Sequence, residues 1–533
     1  MTSGEPMIAD IIAQYLAQWG LRYAFGHPGG ETAHLIEAFR RANIPFLLTH
    51  HEATAAFMAA AYGDLTGIPG VCLATLGPGA TNMVTGVANA YLDRSPVIAL
   101  TAQLSLNSPK GATHQLLDLN RLYGAITKGS TLVTPDNVHA VVVEAVAAAL
   151  QERPGPFHLA VPSDVAATRI TTPVPPVHVA PTKPMPPPSP QTLAKIDMLL
   201  ARSSRPAIIA GIGALRSHAQ DAVTELAHRW HAPVAVTPKG KGLIPEDDPL
   251  FVGVIEMAGN DVVIGFLQRA DLILAAGLDV VEMDKPWLLT APVIHLDTVP
   301  NEEGYYPTEV ELCSNVRTLL KQIGERVSRR GTWTDEDLIQ HQARLRDYVC
   351  PSSARLQPYQ VVETFREAMG REAMATCDVG ANKFLVGQVW KTYQAGTFMM
   401  SNGLSSMGYS IPTAATMKLL NPQCQVVAFV GDGGLAMYLG ELETLTRLSI
   451  GLPIVVLVDN SLELIRRSQE RRGYAEIGTT FTNPDFGLLA RSFGLAYYQV
   501  ASADECRCAA EEVARTHRPI LVAAEIDGHD YRL

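Results

Sequence analysis

The sequence predicts an α/β protein of three doubly wound domains with mainly parallel sheets. Three observations predict it. Short β-branched runs such as QVVAFV (425–430) and PIVVLV (453–458) alternate with Ala-rich amphipathic stretches from end to end, as parallel strands covered by helices do. The length of 533 residues suits about three cores at roughly 100–200 residues each. Two composition breaks then divide the chain, one proline-rich and one charged. The predicted layout is an N-terminal domain over 1–170, a proline-rich linker over 171–190, and a central domain over 191–325. A second linker over 326–356 leads to a C-terminal domain over 357–533.

Composition narrows the class. Hydrophobic residues are 47% and charged residues 18% of the chain, the balance of a packed globular protein rather than a disordered one. Lys plus Arg is 42 against 53 for Asp plus Glu, giving −11 with no basic block, so no nucleic acid partner is expected. The best apolar stretch, Ala140 to Leu150, is short and carries Glu144, so no membrane span is expected. MTSGEPMIAD lacks the basic and apolar regions of a leader. The seven cysteines are scattered without a metal-spaced pair. Together these features predict a soluble cytoplasmic protein.

In the first block, FLLTHHEATAAFMAAAYGDLTG (46–67) reads as a strand running into an Ala-rich helix that begins near Glu52. Taken alone, Glu52 is a first-turn acid complementing the helix dipole. His50 and His51 stand at the helix entry, a position that suits a structural role. The middle block opens with PAIIAGIGALRS, a strand and a glycine turn. Without the third glycine of a dinucleotide fingerprint, it reads as a tight βα turn.

The third block carries the strongest signal. Strand 425–430 is followed by Gly431-Asp432-Gly433-Gly434 and then a helical run with Leu435, Tyr438, Leu439, Leu442 and Leu445 on one face. Glycines that let backbone N–H groups approach an anion, beside a hard oxygen ligand, make a cradle for phosphate and metal. The next strand ends in Asp459-Asn460-Ser461. In a parallel sheet, adjacent strands end side by side, so these residues would face Asp432 across a crevice suited to octahedral Mg²⁺.

GDG followed about 27 residues later by an Asn-containing turn resembles the thiamine diphosphate motif. The whole chain resembles the acetolactate synthase and 2-oxo acid decarboxylase superfamily, with its pyrimidine-binding, central and diphosphate-binding domains. The resemblance implies thiamine diphosphate and Mg²⁺ as cofactors, with Asp432, Gly433 and Gly434 at the diphosphate. The second metal position is open between two residues. Counting 27 lands on Asp459, which the apolar pattern Leu462, Leu464, Ile465 favours, with the carbonyl of Ser461 completing the set. Matching residue type lands on Asn460.

Further matches follow from the same resemblance. Glu52, in its HE-xx-A context, would hydrogen-bond N1′ of the aminopyrimidine and promote proton removal at C2. In Ser401–Gly408, the carbonyl of Ser405 would accept from N4′, and Met407 would wedge between the cofactor rings. Asn382 would reach the diphosphate. Tyr23–Gly30 resembles the first strand and turn, and Leu76–Asn82 the chamber-lining GPGATN turn, with Leu76 replacing a usual small hydroxyl residue. His114 and Gln115 fall where relatives carry residues that decide the fate of the enamine, and His114 could relay a proton to it. His27 and Thr75 are further chamber candidates.

The implied function is decarboxylation of a small 2-oxo acid through a C2 ylide and an enamine, with aldehyde release or carboligation. Active sites between chains imply a homodimer or homotetramer. FAD is not expected, because residues 277–284 lack the arginine of the flavin-binding stretch. Two alternatives stand beside this reading. An acyl-CoA lyase of the oxalyl-CoA decarboxylase type would need a basic pocket around Lys239 and Lys241. A non-catalytic subunit would not need Glu52, Asp432 and Met407 together.

Overall fold

The computed structural model describes residues 5–109, 111–171, 174–176, 188–302, 304–353 and 355–532. Residues 172–173 and 177–187 of the predicted proline-rich linker lie outside that set. Contacts divide the chain into two compact units. One is Met1–Pro181 with Gly403–Pro422 and Tyr438–Ile450; the other is Thr182–Asn402 with Gln423–Met437 and Gly451–Leu533.

The first unit holds one six-stranded sheet. Its strands are β1 (Ala24–Gly26), β2 (Phe46–Leu48), β3 (Gly70–Ala74), β4 (Val97–Gln103), β5 (Ser130–Leu132) and β6 (Pro156–Pro162), in the order β2-β1-β3-β4-β6-β5. All pairings are parallel. Strands β3 and β6 are buried along their whole length, which explains a sequence that is apolar throughout in β3 and interrupted only by His158 in β6. Helix Glu52–Thr66 is buried from Glu52 through Gly63, so its alanines are the small residues that close packing on both sides demands. Helices Pro78–Leu92 and Ser410–Leu420 pack against it.

The second unit holds two parallel sheets. The central one contains β7 (Pro206–Ala210), β8 (Val234–Val236), β9 (Phe251–Val254), β10 (Leu272–Ala276), β11 (Val293–Asp297) and β12 (Val310–Cys313), ordered β12-β11-β10-β7-β8-β9. The other contains β13 (Met374–Cys377), β14 (Phe398–Met400), β15 (Val426–Gly431), β16 (Pro453–Val458), β17 (Ala496–Val500) and β18 (Ile520–Glu525), ordered β14-β13-β15-β16-β18-β17. Three six-stranded parallel sheets with helices are the three doubly wound folds that the sequence predicts.

Two local features add detail to the pattern reading, in which the charged stretch has some helical character and a single helical run follows Gly434. Most of the charged stretch after residue 326 is helix Asp335–Val349, opened by a Thr334/Asp337 capping box. His341 and Gln342 of that helix bond the carbonyls of Val252 and Phe251, so its polar residues cover β9. The single helix expected after Gly434 is two, Asp432–Met437 and Glu441–Arg447. The apolar spacing continues across the break, but Tyr438 leaves the helical path. No helix among the described residues is long and apolar enough to cross a membrane.

Candidate active site

Glu52 opens its helix immediately after a His50–His51 turn. His51 is the N-cap, its Nδ1 accepting from Ala53 N at 3.1 Å, and His50 Nε2 bonds Glu443 Oε2 at 2.7 Å. Both histidines are thus engaged in holding the turn. Glu52 itself is 6% exposed, deep among apolar residues. Asn82 Nδ2 donates to Glu52 Oε2 at 3.0 Å, and Oε1 lies 3.2 Å from where a Gly79 side chain would begin. One carboxylate oxygen is therefore oriented by an amide, and the other faces the glycine turn after β3.

The other chamber candidates of the first unit stand at that turn or elsewhere in the unit. Gly77 has φ +61°, and a Cβ there would sit 2.7 Å from Gln115 Cβ, so Gln115 covers the turn. His114 is exposed beside it. Thr75 Oγ1 donates to Glu31 Oε2 at 2.8 Å, and His27 Nδ1 bonds the Thr49 carbonyl at 2.8 Å. Ser405 is exposed at φ +54°, and Met407 is half-buried rather than core-packed. Gly408 at φ +90° lies so close to Tyr438 that a Cβ would fall 1.8 Å from the ring, so only glycine fits.

In the second unit, Asp432 is 2% exposed and begins the helix after β15. Its Oδ2 accepts from Asn460 N and from Asn483 Nδ2, each at 2.7 Å, while Oδ1 accepts from Gly433 N at 2.9 Å. Asn483 Nδ2 also donates to Asn460 Oδ1 at 2.9 Å. Asp432 and Asn460 thus bring two side-chain oxygens to one donor, with Asn460 exposed at φ +57°. Asp459 lies differently. Its Oδ1 accepts from Ser461 N at 3.0 Å, and its Oδ2 faces Gly528 beside Glu463. Burial first, then the charges of Asp432 and Glu463, push the Asp459 carboxyl up to about 7. Burial also raises Asp432, against its hydrogen bonds. Ser461 Oγ is buried without a hydrogen-bond partner.

Asn382 is buried in the first turn of helix Ala381–Val389, after β13, and folds back onto the preceding turn, donating from Nδ2 to the Asp378 carbonyl at 2.9 Å. Its Oδ1 points toward the Gly431 backbone. A Cβ on Gly434 would fall 2.2 Å from Asp378 Oδ2, so Asp378 closes over the GDGG turn. Asn82 enters the sequence prediction only as the end of the chamber-lining turn, without a role of its own, and Asp378 and Asn483 carry no predicted role. The side-chain atoms that Asp432 and Asn460 bring together are oxygens, the chemistry a hard cation takes. No group of three or more His, Cys, Asp or Glu side chains suited to a metal exists among the described residues, so a cation here would need oxygens from its partner ligand. A diphosphate supplies them, and the arrangement fits.

The central sheet is closed where β7 and β10 diverge. Gly213 N donates to the Gly277 carbonyl at 2.8 Å and Ile212 N to Glu282 Oε2 at 2.9 Å. Glu282 is fully buried, and desolvation pushes its carboxyl up to about 7.

Comparison with known proteins agrees with this architecture. Residues 7–122 match the family described as thiamine pyrophosphate enzyme, N-terminal TPP binding domain. Residues 193–323 match the central domain and residues 378–524 the C-terminal TPP binding domain of the same enzymes. The chain is 30% identical to a probable acetolactate synthase large subunit of Methanocaldococcus jannaschii, over 97% of this chain and 92% of that one. It is 30% identical to the acetolactate synthase isozyme 2 large subunit of Escherichia coli, over 97% and 95% respectively. It is 28% identical to a catabolic acetolactate synthase of Raoultella terrigena, over 98% and 95%. The chain belongs to the thiamine diphosphate-dependent enzymes of the acetolactate synthase and 2-oxo acid decarboxylase superfamily.

Proposed function

We propose that this enzyme is a thiamine diphosphate- and Mg²⁺-dependent decarboxylase or carboligase acting on a small 2-oxo acid. The observation that carries the proposal is the Glu52 carboxylate, buried and oriented by Asn82 with its second oxygen turned to the Gly79 turn. When bound, thiamine diphosphate would supply a thiazolium that takes up the electron pair left behind as CO₂ departs from the 2-oxo acid. Glu52 holds a proton at N1′ of the aminopyrimidine. Ser405 would accept at N4′ through its carbonyl, and Met407 would pack against the bound cofactor. Gly433 and Gly434 give the diphosphate backbone access, and Asn382 lies beside them.

For the metal we assign Asp432 and Asn460, with the backbone carbonyl of Ser461. Asn460 is chosen over Asp459 because its oxygen shares the Asn483 donor with Asp432, whereas the Asp459 carboxyl turns toward Gly528. Gln115, over Gly77, is the better chamber candidate than the exposed His114. Residues 277–284 lack the arginine of the flavin-binding stretch, and Glu282 already takes the Ile212 amide at the turn after β7, which supports a central domain without FAD. We further propose a cytoplasmic homodimer or homotetramer whose active sites combine Glu52 of one chain with Asp432 of another, in the three-domain layout set out above.

The test is CO₂ release from a panel of 2-oxo acids with thiamine diphosphate and Mg²⁺, comparing wild type with Glu52→Gln. A fall of at least about 100-fold in the variant, with cofactor still bound, is expected for loss of a general acid–base group. Undiminished release by Glu52→Gln, or no release from any acid by cofactor-loaded wild type, would overturn the proposal.

A further inference from the structure

The strand order β2-β1-β3-β4 reverses between β1 and β3, and a doubly wound sheet opens its ligand crevice at such a point, beyond the C-terminal ends of the strands. One hydrogen bond bridges the two strand ends there. Thr75, which follows β3, donates from Oγ1 to Oε2 of Glu31, which follows β1, at 2.8 Å. The turn that carries Glu31 is itself held. Gly29 N donates to Thr32 Oγ1 at 3.0 Å, that hydroxyl donates back to the Gly29 carbonyl at 2.9 Å, and Thr32 is fully buried. Gly29 lies against Thr75, where a Cβ would fall 2.5 Å from the threonine Cβ and Oγ1. On its other side Thr75 approaches Glu52. Thr75 Cγ2 lies 2.8 Å, and Glu52 Oε1 3.2 Å, from where a Gly79 side chain would begin. Among the described residues no other hydrogen bond or ion pair reaches the Glu31 carboxylate, which is half-buried. Its Oε1 is left to accept from whatever occupies the crevice. Glu31, Thr75, Gly79 and Glu52 all belong to one compact unit of one chain, and so to the same active site.

We propose that Glu31, held by Thr75, is a specificity-determining residue that selects a substrate whose side chain donates a hydrogen bond. The substrate class is a 2-oxo acid with a hydroxyl or an ammonium group on that side chain. The proposal rests on the function proposed above, in which Glu52 meets N1′ of the aminopyrimidine. Glu52 then takes the cofactor on one side of Thr75, and Glu31 meets the substrate on the other. A carboxylate offers only acceptors, and one oxygen of Glu31 is already engaged. A substrate hydroxyl or ammonium group satisfies the other with a charge-assisted hydrogen bond. A methyl group leaves it unmatched, and a second substrate carboxylate is repelled.

The test uses the full-length chain loaded with thiamine diphosphate and Mg²⁺, and four 2-hydroxy acids that report binding apart from turnover because they lack the 2-oxo group. They differ in the group on C2: methyl in lactate, hydroxymethyl in glycerate, ammoniomethyl in isoserine and carboxylate in tartronate. Affinities are read by saturation-transfer NMR. Wild type should bind glycerate and isoserine at least about tenfold more tightly than lactate, the worth of a hydrogen bond to a charged group. Tartronate should bind more weakly than lactate. A preference for glycerate alone would narrow the class to hydroxylated acids, and for isoserine alone to amino acids. Glu31→Ala should bring all four acids within about threefold of one another, a ratio that a general loss of stability does not move. Glu31→Gln keeps an acceptor oxygen without the charge, so it should keep the glycerate preference and admit tartronate. Thr75→Val removes the donor that holds Glu31 and should shrink the same preference independently, should Glu31→Ala fail to fold. No preference for glycerate or isoserine in wild type, or one that survives in the folded Ala or Val variants, overturns the assignment. A wild-type chain that binds no cofactor, or releases no CO₂ from any 2-oxo acid, overturns the underlying functional reading instead, and is seen before any variant is compared.

Discussion

The backbone N–H of Asn460 donates to Asp432 Oδ2 at 2.7 Å, tying the ends of two neighbouring parallel strands together. That bond holds the Asp432 carboxylate beside the Asn460 amide before anything binds. The division of labour at this turn can be tested by substitution. Asn460→Ala should weaken Mg²⁺-dependent retention of thiamine diphosphate, and Asp459→Asn should leave it within about threefold, because only the former removes a direct oxygen. Cofactor titrations at graded Mg²⁺ check this; equal losses in both variants would return Asp459 to the ligand set.

Asn483 donates to both Asp432 and Asn460 from a loop after the charged helix Glu463–Arg471. Asn483→Ala should lower Mg²⁺ affinity by about 10–100-fold through loss of ligand orientation. Metal affinity indistinguishable from wild type would show that Asp432 and Asn460 hold their places unaided.

Asn82 is the amide that orients Glu52. Replacing it with leucine should lower turnover of 2-oxo acid by about tenfold while KM changes little, since the loss falls on positioning rather than on substrate binding. Steady-state kinetics on the preferred acid distinguish the two; a rise in KM alone would place Asn82 in the substrate pocket.

Glu282 gives a pH prediction. Burial raises its carboxyl from the ordinary value of 4.5 to about 7, so the folded protein binds a proton that the unfolded chain releases between those values. Stability therefore falls as pH rises from about 4.5 to 7, by up to about 3 kcal/mol, and stays lowered above that. Glu282→Gln, which mimics the protonated form, should remove this part of the slope. Urea denaturation at pH 5 and pH 8 reads it; an equal slope in the variant would show that Glu282 ionises without cost.

Gly408→Ala should lower stability by about 1–3 kcal/mol, because the new methyl meets the Tyr438 ring at a backbone angle that L residues avoid. Thermal melts of the single variant and of the pair with Tyr438→Leu check the cause, since removing the ring should recover the clash component.

Much of this protein is legible in its sequence because much of it is local. The β-branched runs, the Ala-rich helix after Glu52 and the GDGG turn each announce themselves within a few residues. Asn483 does not, because its contact to Asp432 spans 51 residues and a lone asparagine in a loop carries no periodic signal. Asn82 lay within a recognised turn, yet nothing local states that its amide reaches back 30 residues to Glu52. The helix after Gly434 was overextended for a related reason. Tyr438 and Leu439 keep the apolar spacing, and only the packing of Tyr438 against Gly408 reveals that the chain turns there. The choice between Asp459 and Asn460 likewise hinges on side-chain direction at a positive φ, which spacing does not encode.

The first and third sheets share one strand order, 2-1-3-4-6-5 in local numbering. In both, the turn after the third strand is glycine-rich: Gly77-Pro78-Gly79 in one, Gly431-Asp432-Gly433 in the other. The same topology thus presents the same kind of turn twice, with the buried Asp432 seated in one copy and the buried Glu52 carboxyl facing the other.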